Sequence, residues 1–434
     1  MTNIRKLDQI PILRFAFWFL AIVVSSLLAF AEWNGLNAIH LLHYDYGFFY
    51  YAFEAILHHQ SGSSLYNSHA EQTFLARFHF PFLPHNQYVY PPQFAVFWCP
   101  FGALPFSLSS GIWMAMSILL YSLGVFWISR VIWPRLDWKY VGLLVLGASV
   151  MTPVQLDVGV GNVNCVLFSA VALSFYLLYN RQQAWRAGIP LGLAIVFKVT
   201  PAAILVYLLL RKQWRVSISA LFTAGIFSGI TAIWLGPACL IHYAEKFMAF
   251  GQTSMKNGPA PYNQSLVGVL GAFAQHHWLH WPPTFQNACF LLFMALTALL
   301  FLWVTIRTPS HRCIDVGLAS LAPLVFSPLV EQMHMVFVIP SLFSLVYMAQ
   351  RTRRDAPRSS QTTFWVLMVV AAGSFLALSL PTTFALNFLV NHWPQLFWVH
   401  THMFWVLLAL FTTTTWQSLR CTVQELPKRH YQAC

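Results

Sequence analysis

An all-α polytopic membrane protein is the fold class this sequence predicts, on three observations. Of 434 residues, 58% are hydrophobic and only 8% are Asp, Glu, Lys or Arg, whereas a soluble domain is nearer a quarter charged. Apolar stretches of about 18 or more residues recur along the chain between short polar segments, as in bilayer-crossing helices. Lys and Arg gather in alternate connecting segments, as they do on the cytoplasmic side of a membrane. The apolar runs are continuous rather than alternating, which argues against a membrane β-barrel.

The chain offers spans at 14–31, 111–129, 140–156, 164–180, 216–235, 285–306, 314–329, 333–350, 362–380 and 401–419. Arg5, Lys6 and Arg14 precede the first, and Ala29-Phe30-Ala31 resembles a signal-peptidase site. The apolar run from Phe15 to Phe30 is long for a signal peptide's core, so an uncleaved helix is expected. Cleavage would leave the following loop on the same side. Segment 187–210 is long enough to cross once. Yet Arg181 and Arg186 precede it, and Arg211, Lys212 and Arg215 follow it, so both ends belong inside. A hairpin of two short helices satisfies this, with a break near Lys198-Val199-Thr200-Pro201. Pro201 lacks an N–H and disfavours helix at Thr200, and irregular backbone at that depth must be buried or line a cavity. About twelve transmembrane or half-membrane helices result. They form a single membrane domain over 1–434 with long external segments at 32–110, 236–284 and 381–400. The stretch from Tyr90-Pro91-Pro92 to Pro105 is expected to lie in the interface or re-enter.

The net charge of +12 reflects basic cytoplasmic loops, and no nucleic-acid partner is expected. Of the 24 Lys and Arg residues, only Arg77, Lys198, Lys246 and Lys256 fall outside those loops. Seven acids, Glu32, Asp45, Glu54, Glu71, Asp157, Glu245 and Glu331, fall with them, external or at the membrane. Seven cysteines, scattered and never in a CxxC pair, indicate neither a disulfide framework nor a thiolate metal site. The pair His276 and His280 has metal-ligand spacing but no evident third ligand. No phosphate-binding glycine loop or GxSxG motif is present, so nothing points to cytoplasmic nucleotide chemistry.

Three places can carry chemistry. Asp45 lies about 14 residues beyond the first span, ahead of an apolar segment, Phe48 to Leu57, suited to lie along the membrane surface. That puts its carboxylate at the mouth of a helix bundle; the alternatives are a helix cap or a solvated loop acid. Lys198 sits inside an apolar stretch, where a cation is costly and marks a functional site or an internal ion pair. Snorkelling is the alternative and works poorly from the middle of a segment. Glu331 and His334 follow Ser327-Pro328 at an external helix start and, three apart, share a helical face. They are suited to phosphate donation or proton transfer, or to capping.

Several pieces recur together in this chain. They are Asp45-Tyr46-Gly47 with Tyr50; Ser64-Leu65-Tyr66; Tyr90-Pro91-Pro92; and Gly161-Asn162-Val163-Asn164. Gly188 through Lys198-Val199-Thr200-Pro201, followed by Arg211, comes next. Asn263-Gln264-Ser265-Leu266 and Ser327-Pro328 with Glu331 and His334 complete the set. Over nearly the whole chain, this ordered set resembles bacterial glycosyltransferase family 87 of the GT-C superfamily, which includes polyprenyl-phosphate-mannose-dependent α-mannosyltransferases of the envelope. The resemblance implies a GT-C fold in the bacterial cytoplasmic (inner) membrane with an extracytoplasmic active site. It implies an inverting transfer of a hexose, mannose above all, from a polyprenyl-phosphate donor to a lipid or glycan acceptor. Asp45 would be the catalytic base. Lys198 and His334 would hold the donor phosphate, and Tyr50, Tyr90, Asn162, Asn164, Asn263, Gln264 and Glu331 would line the substrate. Many relatives carry an aromatic before the acid of Glu331-Gln332-Met333-His334, so acceptor contacts stay open here. The second acid of the Asp-x-Asp motif of some GT-C enzymes is missing, so no metal and no cofactor is expected. Membrane lipids are the other expected partners, around a monomer. A transporter or flippase of polyprenyl-linked sugars is the alternative, since it also uses broken helices and an intramembrane cation; a non-catalytic envelope scaffold is a third reading.

Overall fold

In lipid every backbone N–H and C=O must be satisfied within the protein, which leaves helices and closed barrels. Every regular element among the described residues is a helix. The computed structural model describes residues 11–58, 64–81, 87–256, 263–275, 281–355, 361–380, 399 and 401–431. The expected external segment 381–400 lies outside these apart from 399, as do His276 and His280.

The first part of the chain forms α1 (Pro11–Ala38), α2 (Tyr44–Leu57), α3 (Ser68–Leu75), α4 (Pro92–Trp98), α5 (Phe106–Ile132), α6 (Trp138–Ser149), α7 (Thr152–Val160), α8 (Asn164–Tyr179) and α9 (Ala184–Phe197). Next come α10 (Ala202–Leu210), α11 (Trp214–Leu235), α12 (Ala238–Lys256), α13 (Leu266–Gln275), α14 (Pro283–Arg307) and α15 (Arg312–Val325). A 3-10 segment, Gln332–Val338, leads into α16 (Ile339–Asp355), followed by α17 (Gln361–Leu378) and α18 (His402–Tyr431). Among the described residues, five helices are long and apolar enough to cross a bilayer, or six spans if the bent pair α6–α7 counts as one. The chain is a multi-pass membrane protein.

Two expected spans differ in shape from the helices found. The first helix runs on to Ala38, so the connection to Asp45 is about half as long as the sequence suggested. The expected span 140–156 bends by 72° between α6 and α7. Pro153 sits in the first turn of α7 and cannot continue the preceding helix. Gln155 Nε2 donates to the freed carbonyl of Ser149 at 3.1 Å.

The bend places α7 where it staples the first loop. Trp33 Nε1 of α1 donates to Gln155 O at 3.0 Å, and the His43 N–H, just ahead of α2, donates to Gly159 O at 2.8 Å. Behind α2, Tyr46, Phe49, Phe53, Phe94 and Trp113 are fully buried and meet mostly edge to face. This is a rigid aromatic support for α2.

The helix before Lys198 is fixed by close packing. A Cβ at Gly188 would come within 2.5 Å of Ser219 Cβ and Val216 O, and one at Gly192 within 2.5 Å of Ala220 O. Small residues four apart thus let α9 and α11 lie backbone against backbone, running parallel, where packing rather than water drives association. Ser219 Oγ also donates to Trp185 O at 2.6 Å. The chain then leaves helix at Lys198 (φ −155°, ψ 132°) and resumes in α10. Past α10, Arg211 pairs with Asp315 at 2.7 Å and donates to the carbonyls of Thr305 and Thr308 at 2.8 and 2.7 Å, tying α10 to α14 and α15.

Gly161 ends α7 in the left-handed region (φ 75°), and a Cβ there would meet Tyr46 Cβ at 2.6 Å. The left-handed backbone alone costs a non-glycine residue about 1–2 kcal/mol. Gly161→Ala is therefore expected to lower thermal stability in detergent by several degrees. An unchanged unfolding midpoint would show that α2 and α7 are not held this closely.

Candidate active site

α2 presents Asp45 in its first turn. Opposite it, α7 closes with Gly161 and hands the chain to Asn162-Val163-Asn164 at the start of α8. At this junction lies a buried carboxylate, Asp157. Its Oδ2 accepts the Cys165 N–H at 2.8 Å, and its Oδ1 accepts the Asn164 N–H at 3.3 Å and Asn164 Nδ2 at 2.8 Å. An anion suits the unpaired N–H groups at a helix start.

From Asp157 the hydrogen bonds run outward in one direction. Asn164 Nδ2 also donates to Asn162 Oδ1 at 3.0 Å. Asn162 Oδ1 takes in addition the Val163 N–H at 2.7 Å and the Tyr90 hydroxyl at 3.2 Å. With its oxygen so occupied, Asn162 turns its amide nitrogen to Asp45 Oδ2, at 2.6 Å. The free oxygen of Asn164, its Oδ1, accepts Lys198 Nζ at 3.0 Å. Asp157 thereby orients both amides, one toward the Asp45 carboxylate and the other toward the Lys198 ammonium.

On the far side of Lys198 stands His334. Its Nδ1 accepts the Glu331 N–H at 3.1 Å, so the proton of the neutral ring sits on Nε2. Nε2 lies 2.9 Å from Lys198 Nζ and 3.6 Å from Glu331 Oε2. Two nitrogen donors held this close favour an anion that accepts from both. Capping is realised here as well, since Glu331 and His334 form a reciprocal box at the head of the 3-10 segment. The Tyr90 ring faces Lys198 Nζ at 5.4 Å, a cation–π contact.

Asp45, Tyr90, Asn162, Lys198, Glu331 and His334 line one cavity with an empty volume of about 1090 Å³. Phe48 and Phe49 from α2 and Tyr243, Phe247 and Phe250 from α12 add aromatic rings to its lining. Burial pushes the Asp45 carboxyl up to about 7; the Glu331 charge adds to this, while the Asn162 hydrogen bond and Lys198 pull the other way. Such a carboxyl is poised to take a proton near neutral pH.

The other residues singled out in the sequence sit beside the cavity rather than on it. Asn164 acts through Lys198 and Asn162. Asn263 is buried and clamps the Ser327-Pro328 turn: Nδ2 donates to Pro328 O at 3.1 Å and Oδ1 accepts the Val330 N–H at 3.1 Å. The Gln264 N–H donates to Val330 O at 2.6 Å. Tyr50 is buried away from the cavity lining, its hydroxyl donating to Leu104 O at 2.7 Å. Asp157 belongs to none of the motifs above, although an acid within an apolar stretch of α7 is itself the signal for a special role.

The sequence profile of glycosyltransferase family 87 matches residues 88–331, more than half of the chain. Similar proteins include a polyprenol-phosphate-mannose-dependent alpha-(1-2)-phosphatidylinositol mannoside mannosyltransferase of Mycobacterium tuberculosis, 24% identical over 64% of this chain and 66% of that protein. The corresponding phosphatidylinositol pentamannoside mannosyltransferase of Mycolicibacterium smegmatis is 28% identical over 60% of this chain and 61% of its own length. An alpha-(1->3)-arabinofuranosyltransferase of Mycobacterium tuberculosis is 26% identical over 39% of this chain and 37% of its length. The chain thus spans about two thirds of the length of the first of these relatives.

The Asn162 hydrogen bond favours ionised Asp45. Asn162→Ala is expected to move the Asp45 midpoint above about 7, read from the carboxyl band in a pH-difference infrared titration assigned with Asp45→Asn. A midpoint that stays in place would show that the amide does not hold the charged form.

Proposed function

Because the chain belongs to glycosyltransferase family 87, we propose that it transfers mannose from a polyprenyl-phosphate donor to a glycolipid acceptor, with inversion, at the cavity around Asp45. The observation that carries this reading is the pairing, in one cavity, of a carboxylate with a raised pKa and a two-donor anion seat, joined by a relay of two amides. The similar proteins named above are all sugar transferases, and the mannose-specific ones are named for a polyprenol-phosphate-mannose donor; none is a transporter.

The geometry suits the following reaction. An acceptor hydroxyl is a poor nucleophile until its proton has somewhere to go, and the Asp45 carboxylate takes it during attack. The acceptor oxygen bonds to the anomeric carbon as the bond from that carbon to the phosphate oxygen breaks. The electron pair leaves with the polyprenyl phosphate, whose growing charge Lys198 Nζ and His334 Nε2 stabilise. Attack from the side opposite the phosphate inverts the anomeric centre. Asp45 then releases its proton to water. Tyr90 and the aromatic side chains of α12 enclose the sugar and exclude water.

In this reading the protein lies in the inner membrane with the cavity on the extracytoplasmic face, because the basic segments lie on the other side. The isoprenoid tail then stays in the bilayer while the headgroup reaches α2. Modification of intact cells with an impermeant thiol reagent should label His69→Cys and spare Arg354→Cys, both in a background lacking the native cysteines. The reverse pattern would overturn this orientation.

Purified protein given polyprenyl-phosphate mannose and a glycolipid acceptor should form the mannosylated product. Asp45→Asn should reduce turnover by about 10²–10⁴-fold, the range for loss of a general base, with donor affinity retained; full activity in that variant would sink the mechanism. Transfer requires ionised Asp45, whose pKa is raised to about 7. The rate should therefore be level on the alkaline side and fall about tenfold per unit of pH below 7. A profile flat down to pH 5 would assign the base elsewhere.

A further inference from the structure

The first loop builds a second cavity, with an empty volume of about 740 Å³, against the helix that carries Asp45. Phe48 lines both cavities. The floor of the second is aromatic. Tyr44 meets Phe48 edge to face at 5.1 Å and Phe80 likewise at 5.6 Å. The Phe80 ring lies directly on the α2 backbone, where a Cβ at Gly47 would come within 2.8 Å of it. One wall is the face of α3 made by His69, Gln72 and Thr73, all exposed; their spacing of three and four residues puts them side by side. With Leu75, Ala76 and Pro81 beside it, Glu71 completes the lining. It is buried, holds the Tyr88 N–H at 2.6 Å, and burial pushes its carboxyl up to about 8.

The lining contains no Lys or Arg, which sets this cavity apart from the Lys198–His334 seat and suits it to an uncharged ligand. Flat rings beneath a row formed by an imidazole, a primary amide and a hydroxyl match one class of neutral ligand well. A sugar ring offers apolar C–H faces to aromatic side chains and hydroxyls to mixed donors and acceptors. The shared Phe48 makes the two cavities neighbours.

We propose that this second cavity holds a sugar residue of the acceptor glycan beyond the residue that receives the new mannose. The acceptor is then a lipid bearing an oligosaccharide of two or more sugars, rather than a lipid alcohol or a single hexose. This deepens the proposed transferase reading and rests on it for the identity of the ligand as acceptor.

The test compares two lipid acceptors, one carrying a single mannose and one carrying several, with the full-length protein in detergent. Gln72→Ala and His69→Ala are expected to raise KM for the longer acceptor about tenfold, the scale of one or two lost hydrogen bonds. They should leave its kcat, the donor KM and the KM for the short acceptor unchanged. An equal effect on both acceptors, or none on the longer one, overturns the proposal. Saturation-transfer NMR with a free manno-oligosaccharide reads the same site without turnover. Contact that is seen with the wild type and lost in Gln72→Ala supports the proposal; contact that survives in Gln72→Ala and His69→Ala, or is absent from the wild type, overturns it. Because this readout does not depend on catalysis, failure of the transfer reaction and failure of the second cavity are told apart.

Discussion

The carboxylate of Asp157 touches neither wall of the main cavity, yet the arrangement there depends on it. A buried anion is tolerated only when its lone pairs are occupied, and Asp157 is satisfied by two backbone N–H groups at the start of α8 and by the Asn164 amide. Those bonds leave Asn164 one orientation. It must turn its oxygen to Lys198 and its nitrogen to Asn162, which must then turn its own nitrogen to Asp45. A planar amide cannot flip in such a chain without breaking bonds at both ends. Asp45 and Lys198 are therefore placed by one relay, and a change in one alters the hydrogen bonding of the other.

Around this relay the membrane setting supplies rigidity by packing rather than by hydrophobic collapse. Glycines at 188 and 192 let α9 lie on α11, which brings Lys198 to the end of a well-anchored helix. The bend at α6–α7 carries Asp157 and Gly161 inward, and α7 in turn staples α1 and the start of α2. Asn263 clamps the turn ahead of Glu331 and His334. Four stretches far apart in sequence thus meet at one cavity, each fixed by its own local device. Such a site needs positions accurate to fractions of an ångström, and fixed supports outside the cavity are how a helical bundle supplies them.

Much of this was legible in the sequence. The spans follow from apolar run length, and the break at 198–201 from Pro201 together with basic residues at both ends of the segment. Asp45, Lys198 and His334 stood out because ionisable groups at the membrane are few in a chain this apolar. What the sequence hid was two-sided geometry. Tyr50 and Asn263 look like site residues because they sit in the same short motifs, but whether a side chain faces a cavity or a carbonyl depends on partners 54 and 65 residues away. The bend before Pro153 falls within a continuous apolar run, where composition carries no signal of direction. Asp157 was visible as an acid, but its role depends on the Gly161 turn that folds Asn162 and Asn164 back toward it.

The central claim is that one cavity seats the donor phosphate at Lys198 and His334 with Asp45 across the sugar from it. A structure by electron cryo-microscopy with a non-transferable phosphonate analogue of polyprenyl-phosphate mannose tests it most directly. The account predicts phosphonate oxygens within about 2.7–3.2 Å of Lys198 Nζ and His334 Nε2, with the Asp45 carboxylate on the opposite face of the anomeric carbon. A phosphonate bound away from both nitrogens, or an Asp45 shut off from that face, would contradict it.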